Sequence, residues 1–407
     1  MRPITATISF QEALRLTLQA ATPIDRTERV ALADANGRVL AETITAAADV
    51  PPFDRAAMDG FAVRAEDTAG ATRAAPRMLR CVEVIYTGQT PARTLAPGEC
   101  AEIATGAPVP QGANAVVMVE ETDRADGSGH RPDVAVMAAV LAGQNVAPRG
   151  TDINAGEPLL SPGDLLTPAR IGVCAAAGRT DVAIYARPIV AIVSTGGEIV
   201  EPGQPLGPAQ IYDINRFTLA AAVGMHGGVP RVLPSAPDDL PALVRMLGET
   251  LQTADVVVFS GGSSVGERDL VLDAMREIGE VVFHGIAVKP GKPTALGRVQ
   301  GRPVLGMPGN PTSCLSNAYL LLVPMLRRMA RLPIHQPRAE RVPLARRIVS
   351  GAGRHQFYTV RLENGAAVPV FKSSGDITSM SRADGYIEIA ADTAAVEEGQ
   401  LVDVKLF

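Results

Sequence analysis

The sequence predicts a multidomain protein of α/β plus β class, and three observations carry that prediction. At 407 residues the chain exceeds one ordinary domain and fits roughly two to four. From about residue 187 to 332, short apolar runs alternate with helix-like stretches, the pattern of crossovers onto a central, mostly parallel sheet. Residues 64–146 and 333–407 carry short alternating runs between turns instead. That pattern marks a β-rich module and a C-terminal β-barrel or sandwich.

Taken in order, Ser9 is placed to cap a helix over residues 8–21, with Ala13, Leu14, Leu16 and Leu18 as its apolar positions. ERVALADANGRVLAE, residues 28–42, reads as a second helix-like piece interrupted near Gly37. Asp59-Gly60 is a turn before Phe61-Ala62-Val63. In TGAPVP two prolines force a rigid surface loop whose only hydroxyl is Thr105. NVAPRGTDI puts Arg149 and Asp152 in another loop, and Thr167-Pro168 opens a helix as N-cap and first-turn proline. In the α/β stretch, a strand over Ile189 to Val193 runs into Ser194, Thr195, two glycines and Glu198. Asp213, Asn215 and Arg216 lead into a helix, and a later helix is capped near Asp238 and Asp239.

The chain is organised around residues 254–317. Val256 to Phe259, Val281 to Phe283 and Val304 to Leu305 are short, largely β-branched or aromatic, and closed by glycine or proline, as buried strands of a parallel sheet are. Between them lie SGGSSVG, KPGKP and MPGNPTS, and a helix over 312–332 closes the module. Glycine-rich turns at helix starts present backbone N–H groups to anions. Lys289 and Lys292 add full charges, the prolines stiffen their loop, and Gly291 permits a turn closed to other residues. Each loop alone is ordinary punctuation between strand and helix. Three together, where open α/β sheets bind ligands, predict a pocket for an oxyanion or phosphate-bearing ligand.

Such a ligand needs donors converging from several directions. Lys289, Lys292, Ser313 and Arg354 form the candidate set, joined by Ser374 if the C-terminal module folds over the pocket. Carboxylates also gather in loops: Asp59, Asp152, Glu198, Asp239 and Asp269. Beside phosphate they require a divalent cation, and Mg²⁺ suits one or two carboxylates plus phosphate oxygens. The net charge of −5, with signs interspersed, argues against nucleic acid. The absence of tryptophan removes stacking platforms. The four cysteines lack CxxC spacing and read as free thiols of a reducing compartment. Scattered histidines exclude a zinc cluster, and there is neither a P-loop nor a nucleophile elbow. With no apolar run long enough to span a bilayer, the expectation is a cytoplasmic protein with no membrane partner.

PPFDRAAMDGFAV, ATGAPVPQGANAVVMVEE, NVAPRGTDI, STGGEI, IYDINR, SGGSSVGERD, KPGKPTALG and MPGNPTS occur in this order. In them the chain resembles the molybdopterin molybdotransferase family, the bacterial MoeA type shared by the E domain of gephyrin. The resemblance runs from about residue 8 to the end. It implies an elongated linker domain I (1–27, 44–50 and 147–184), a β-rich domain II (28–43 and 51–146), a molybdopterin-binding-like α/β domain III (185–332) and a β-barrel domain IV (333–407). It implies a homodimer with its active cleft between subunits, and a Mg²⁺-dependent hydrolysis of adenylylated molybdopterin. In that reaction molybdate is placed on the dithiolene sulfurs, giving molybdenum cofactor and AMP. The molybdopterin adenylyltransferase and molybdoenzyme-delivery proteins are the implied partners.

Matched position by position, the resemblance gives catalytic roles to Asp59, Thr105, Asp152, Glu198, Asp239 and Asp269, with Glu198, Asp239 and Asp269 as metal ligands. Molybdate or phosphate contacts fall on Lys289, Lys292, Ser313, Arg354 and Ser374, with Pro293 as scaffold and Ser260, Gly261 and Gly262 in the binding loop. Two departures stand out: Gly197 replaces a carboxylate common in the family, and His284-Gly285 stand where a basic residue often precedes KPGKP. Two other functions stay open, an adenylyltransferase-like activity through the shared α/β domain and a gephyrin-like scaffold. The β-rich domain II and C-terminal barrel argue against the first. The lack of a long linker or fused partner argues against the second.

Overall fold

The computed structural model describes residues 6–125, 133–261, 269–351 and 353–407. The chain forms two compact units, one from Arg29–Ile184 and the other from the residues before and after it. No helix among the described residues is long and apolar enough to cross a membrane.

The unit with both chain ends is built on a six-stranded sheet. Its order is Val229–Val232, Ile189–Ser194, Val256–Ser260, Arg302–Met307, Ala295–Val299, Gly279–His284. The first four strands are mutually parallel and the last two are antiparallel to their neighbours. The 281–283 run is an edge strand that points the same way as the first four, but its neighbour Ala295–Val299 runs the other way, so its pairing is antiparallel rather than the parallel one expected. Ala295–Val299 turns directly into Arg302–Met307, and a tight turn between adjacent strands reverses direction where a helical crossover would not. Both sheet faces are buried and side chains alternate between them. Val190, Ile192, Val256 and Val258 enter one core, while Ala191, Val193, Val257 and Phe259 enter the other.

Helices cover both faces. Ser9 accepts from Glu12 N–H at 3.1 Å and caps Phe10–Ala20 as expected, and that helix buries Phe10 and Ala13 in the first core. The helix expected over 312–332 is Pro311–Asn317 and Val323–Met329 joined by a π-turn, Ala318–Leu322. Pro324 supplies the cause, since it has no N–H for a regular ladder. The C-terminal residues form a second sheet: Val288–Lys289, His355–Glu363, Gly385–Ile389, Leu401–Leu406, Ala339–Pro343. Its first strand belongs to the KPGKP loop and pairs in parallel with His355–Glu363, Lys289 facing Gln356.

The Arg29–Ile184 unit carries a six-stranded sheet ordered Ala115–Met118, Gly60–Val63, Glu99–Ile103, Arg77–Ile85, Asp133–Val136, Thr122–Ala125. The β-rich expectation for this stretch holds. Thr167 caps Pro168–Ala176 through Arg170 N–H. Residues 28–42 are not helical: Thr27–Ala31 is a strand and only Leu32–Asp34 makes a helical turn, of 3₁₀ type. The β-branched Thr27 and Val30 favour the extended form, and alanine count alone does not reverse that. All four cysteines are free and buried.

Candidate functional site

The cavity lies where sheet topology predicts a ligand. From Ile189–Ser194 the chain goes to one neighbour, Val229–Val232, and then back to the other, Val256–Ser260. That reversal is a topological switch point. Ser194 and Ser260 stand opposite each other at the two strand ends, and both line a cavity of about 1030 Å³.

The KPGKP loop forms one wall of the cavity through Lys289, Pro290, Gly291, Lys292 and Pro293. Gly291 has φ +107°, and a Cβ there would strike the Asn317 side chain. The buried Asn317 donates through Nδ2 to Gly291 O at 2.9 Å and to Thr294 Oγ1. Thr294 Oγ1 in turn donates to Gly291 O at 2.9 Å. A buried polar prop thus holds the lysine-bearing loop in shape.

The start of the 311–317 helix forms a second wall. Its backbone N–H groups are taken, since Thr312 N and Ser313 N donate to Ser374 O at 3.0 and 3.4 Å, which leaves the Ser313 hydroxyl as the donor toward an anion. Residues 373–376 are anything but free. Asn310 Nδ2 donates to Ser374 Oγ at 2.9 Å, Thr312 Oγ1 to Asp376 O at 2.9 Å, and Ser373 Oγ to Asp376 Oδ2 at 2.7 Å. Ser374, Arg354 and Ser313 all line the cavity, so the C-terminal segment does close over it. Ser374 Oγ accepts from Asn310, which leaves its own O–H to donate.

Ser260 and Gly261 line the cavity, and Gly261 at φ +91° approaches Thr195, whose carbonyl a Cβ would meet at 2.7 Å. Gly262 lies outside the described residues. Lys372 also lines the cavity and was not singled out, although it sits beside Ser373-Ser374 in the sequence. Asp213 lines it too, but the carboxylate is already engaged. It accepts from Ser194 Oγ and from Arg216 N–H at 3.1 Å, with Arg216 Nε 3.4 Å away. Among the described residues four cations, Lys289, Lys292, Arg354 and Lys372, therefore face one carboxylate without an ion pair, Glu198. The balance favours an anionic ligand.

The predicted metal set does not assemble. Among the described residues no three His, Cys, Asp or Glu side chains are grouped to hold a metal. Glu198 lines the cavity, but Asp239 and Asp269 do not. Asp239 caps Leu240–Thr250 by accepting from Ala242 N–H at 3.0 Å, and Asp269 caps Leu270–Ile278 by accepting from Leu272 N–H at 3.0 Å. Burial pushes the Asp269 carboxyl above its ordinary value, against the lowering effect of that cap. Both acids sit at positions that N-capping alone explains.

Asp59, Thr105 and Asp152 belong to the Arg29–Ile184 unit. Thr105 donates to Asp59 Oδ1 through its backbone N–H at 2.7 Å and its hydroxyl at 2.8 Å. Those two bonds hold the exposed Asp59 carboxyl below its ordinary value. Asp152 is exposed on its loop, its backbone N–H bonded to Val50 O at 3.0 Å.

Three family models match the chain in succession: MoeA N-terminal region (domain I and II) over residues 8–178, probable molybdopterin binding domain over 191–328, and MoeA C-terminal region (domain IV) over 341–407. A protein named molybdopterin molybdenumtransferase 2 from Mycobacterium tuberculosis is 36% identical, the match covering 97% of this chain and 98% of that protein. Molybdopterin molybdenumtransferase from Bacillus subtilis is 32% identical, with 93% and 90% covered. The crystal structure of a molybdopterin biosynthesis MoeA protein from Pyrococcus horikosii superposes with a TM-score of 0.84 at 38% identity, covering 98% of this chain and 99% of that one.

Proposed function

Because the chain belongs to the MoeA family, we propose that its cavity takes molybdate with adenylylated molybdopterin and releases molybdenum cofactor and AMP. Molybdopterin molybdenumtransferase is the activity its relatives are named for, and it is the activity of this chain. The observation that carries the finer reading is the convergence of Lys289, Lys292, Arg354 and Lys372 on one switch-point cavity.

Lys289, Lys292 and Arg354 bind the oxyanion by charge-assisted hydrogen bonds, each contributing roughly 1.5–3 kcal/mol. The hydroxyls of Ser374 and Ser313 add neutral donors, and Pro293, Ser260 and Gly261 shape the floor. Pairing of Val288–Lys289 with His355–Glu363 keeps Lys289 and Arg354 in fixed relation, so the anion is oriented before it reacts. Asp59 and Asp152 are the proposed catalytic carboxylates of the other unit, and Thr105 holds Asp59 ionised.

Mg²⁺ fits this donor set only as an ion held largely by substrate oxygens, because among the described residues Glu198 is the one lining carboxylate not already paired. Such sparse protein ligation is usual for Mg²⁺. Glu198 would hold it, and the bound ion supplies charge neutralisation at the phosphoanhydride. The helix-capping positions of Asp239 and Asp269 leave those two out of the proposed metal site.

A homodimer, a four-domain division as in the family, and hand-over from the adenylyltransferase to molybdoenzyme-delivery proteins complete the proposal. Light scattering on the purified chain tests the dimer. A molybdate-soaked crystal tests the site. The anion is expected within hydrogen-bond reach of Lys289, Lys292 or Arg354. An anion seated elsewhere, or unchanged molybdate affinity in the Lys289→Ala/Lys292→Ala double variant, rejects the assignment.

A further inference from the structure

One wall of the cavity carries no charge. Leu206, Ile211 and Tyr212 all line it, and they are exposed at 46%, 56% and 41% of their accessible surface. Isolated exposed apolar residues need no explanation, but three large ones on one segment beside a cavity form a surface that a ligand covers.

The segment is braced from within. Ile199–Val200 pairs in parallel with Ile211–Tyr212. Ile211 N–H donates to Glu198 O at 2.9 Å and Asp213 N–H to Val200 O at 2.9 Å. The Gly207 N–H donates to Gln210 Oε1 at 2.8 Å. The Tyr212 hydroxyl donates to Gln204 O at 3.1 Å, which fixes the ring at its tip. Among the described residues no other ring stacks on it.

Size points the same way. A cavity of about 1030 Å³ is at the upper end of the range for drug-sized ligands and far exceeds a tetrahedral oxyanion. Its lining is divided between a cationic part and an apolar shelf. A ligand that uses both is amphipathic: flat and aromatic at one end, anionic at the other.

We propose that Tyr212, with Ile211 and Leu206, is a stacking shelf for the heteroaromatic ring of a ligand whose phosphoanionic end is held by Lys289, Lys292 and Arg354. The proposal rests on the reading of this cavity as the transfer site, and it assigns the ring-binding residues there. The substrate class has two such rings, a purine and a pterin, and both share the chemistry the shelf recognises.

Calorimetric titration of the full chain with AMP, pterin-6-carboxylate and molybdate tests it, using wild type, Tyr212→Ser and Tyr212→Phe. Aromatic stacking on a nucleobase supports an affinity loss of roughly 5- to 150-fold on removing the ring. Tyr212→Ser is expected to lose that much for AMP or for pterin-6-carboxylate, and the compound affected identifies the ring that stacks. Tyr212→Phe is expected to bind both as wild type does, and both variants are expected to keep molybdate affinity. Unchanged affinity of Tyr212→Ser for both ring compounds, or binding of neither by wild type, overturns the shelf. If Tyr212→Ser does not fold, the Leu206→Ser/Ile211→Ser variant at two exposed positions carries the same comparison. Loss of wild-type molybdate binding in the cavity would instead reject the parent reading, so the two failures are told apart.

Discussion

At the scale of single residues, the site depends on a side chain that never reaches the ligand. Asn317 is fully buried and both of its Nδ2 protons are committed, to Gly291 O and Thr294 Oγ1. Asn317→Ala strands Gly291 O with Thr294 as its remaining donor and opens space beneath the loop. The expected loss is about 1–3 kcal/mol of stability, read as a lower urea midpoint, together with weaker molybdate binding because Lys289 and Lys292 lose their fixed spacing. Stability loss with unchanged molybdate affinity would mean the loop does not need the prop. Gly291 was readable as the residue permitting a special turn, since KPGKP leaves no other candidate. Its partner Asn317 was not readable, because the contact spans 26 positions and no local pattern encodes it. The same limit hid Lys372, which lines the cavity on the segment whose Ser374 carbonyl accepts from the start of the 311–317 helix.

At the scale of elements, periodicity served where burial is two-sided. The runs at 256–260 and 303–307 are buried throughout, and apolar runs of that length admit few alternatives. Direction was not in the pattern: Ala295–Val299 is as β-like as its neighbours yet runs against them, because the tight turn into Arg302–Met307 reverses it, and Gly279–His284 pairs with that reversed strand. The role of an acidic residue in a loop is hidden for a similar reason. A capping aspartate and a metal-binding aspartate look alike in sequence, and only the bonds to Ala242 and Leu272 separate them. The helix Asn215–Met225 ends at His226, where burial, with His335 and Arg327 nearby, pushes the imidazole from 6.5 down to about 4. The unfolded imidazole takes a proton below 6.5, whereas the folded one resists it until about 4. Stability is therefore lost as pH falls through that window, by at most roughly 3 kcal/mol. Stability measured between pH 6.5 and 4 is expected to fall less steeply for His226→Phe. An unchanged slope would show that other groups carry the acid limb. Asp255 and Glu388, whose carboxyls are held below their ordinary values of 3.8 and 4.5, take over at the acid end of that range, so the upper part of the slope is the part that reads the imidazole.

At the scale of the whole molecule, no apolar cluster among the described residues mixes residues of the two units. Three cores lie in the unit with both chain ends, and three lie within Arg29–Ile184. Each unit therefore has its own apolar driving force and the makings of its own cooperative transition. Calorimetry is expected to resolve two unfolding events, or one event whose van't Hoff enthalpy falls clearly below the calorimetric value. Molybdate discriminates between them, because the cations that line the cavity all belong to the unit with both chain ends. A ligand that binds only the native form stabilises by about 2.7 kcal/mol at a hundred times its dissociation constant. For a unit of this size that raises the midpoint by roughly 5–10 °C. Only the transition of that unit is expected to move, and the other serves as an internal control. A molybdate shift shared equally by both transitions would mean that the units fold as one, or that the anion binds outside the cavity. Repeating the scan with Lys289→Ala/Lys292→Ala separates those outcomes: a shared shift that persists without the two lysines locates the anion elsewhere, and one that vanishes with them makes the chain a single cooperative body.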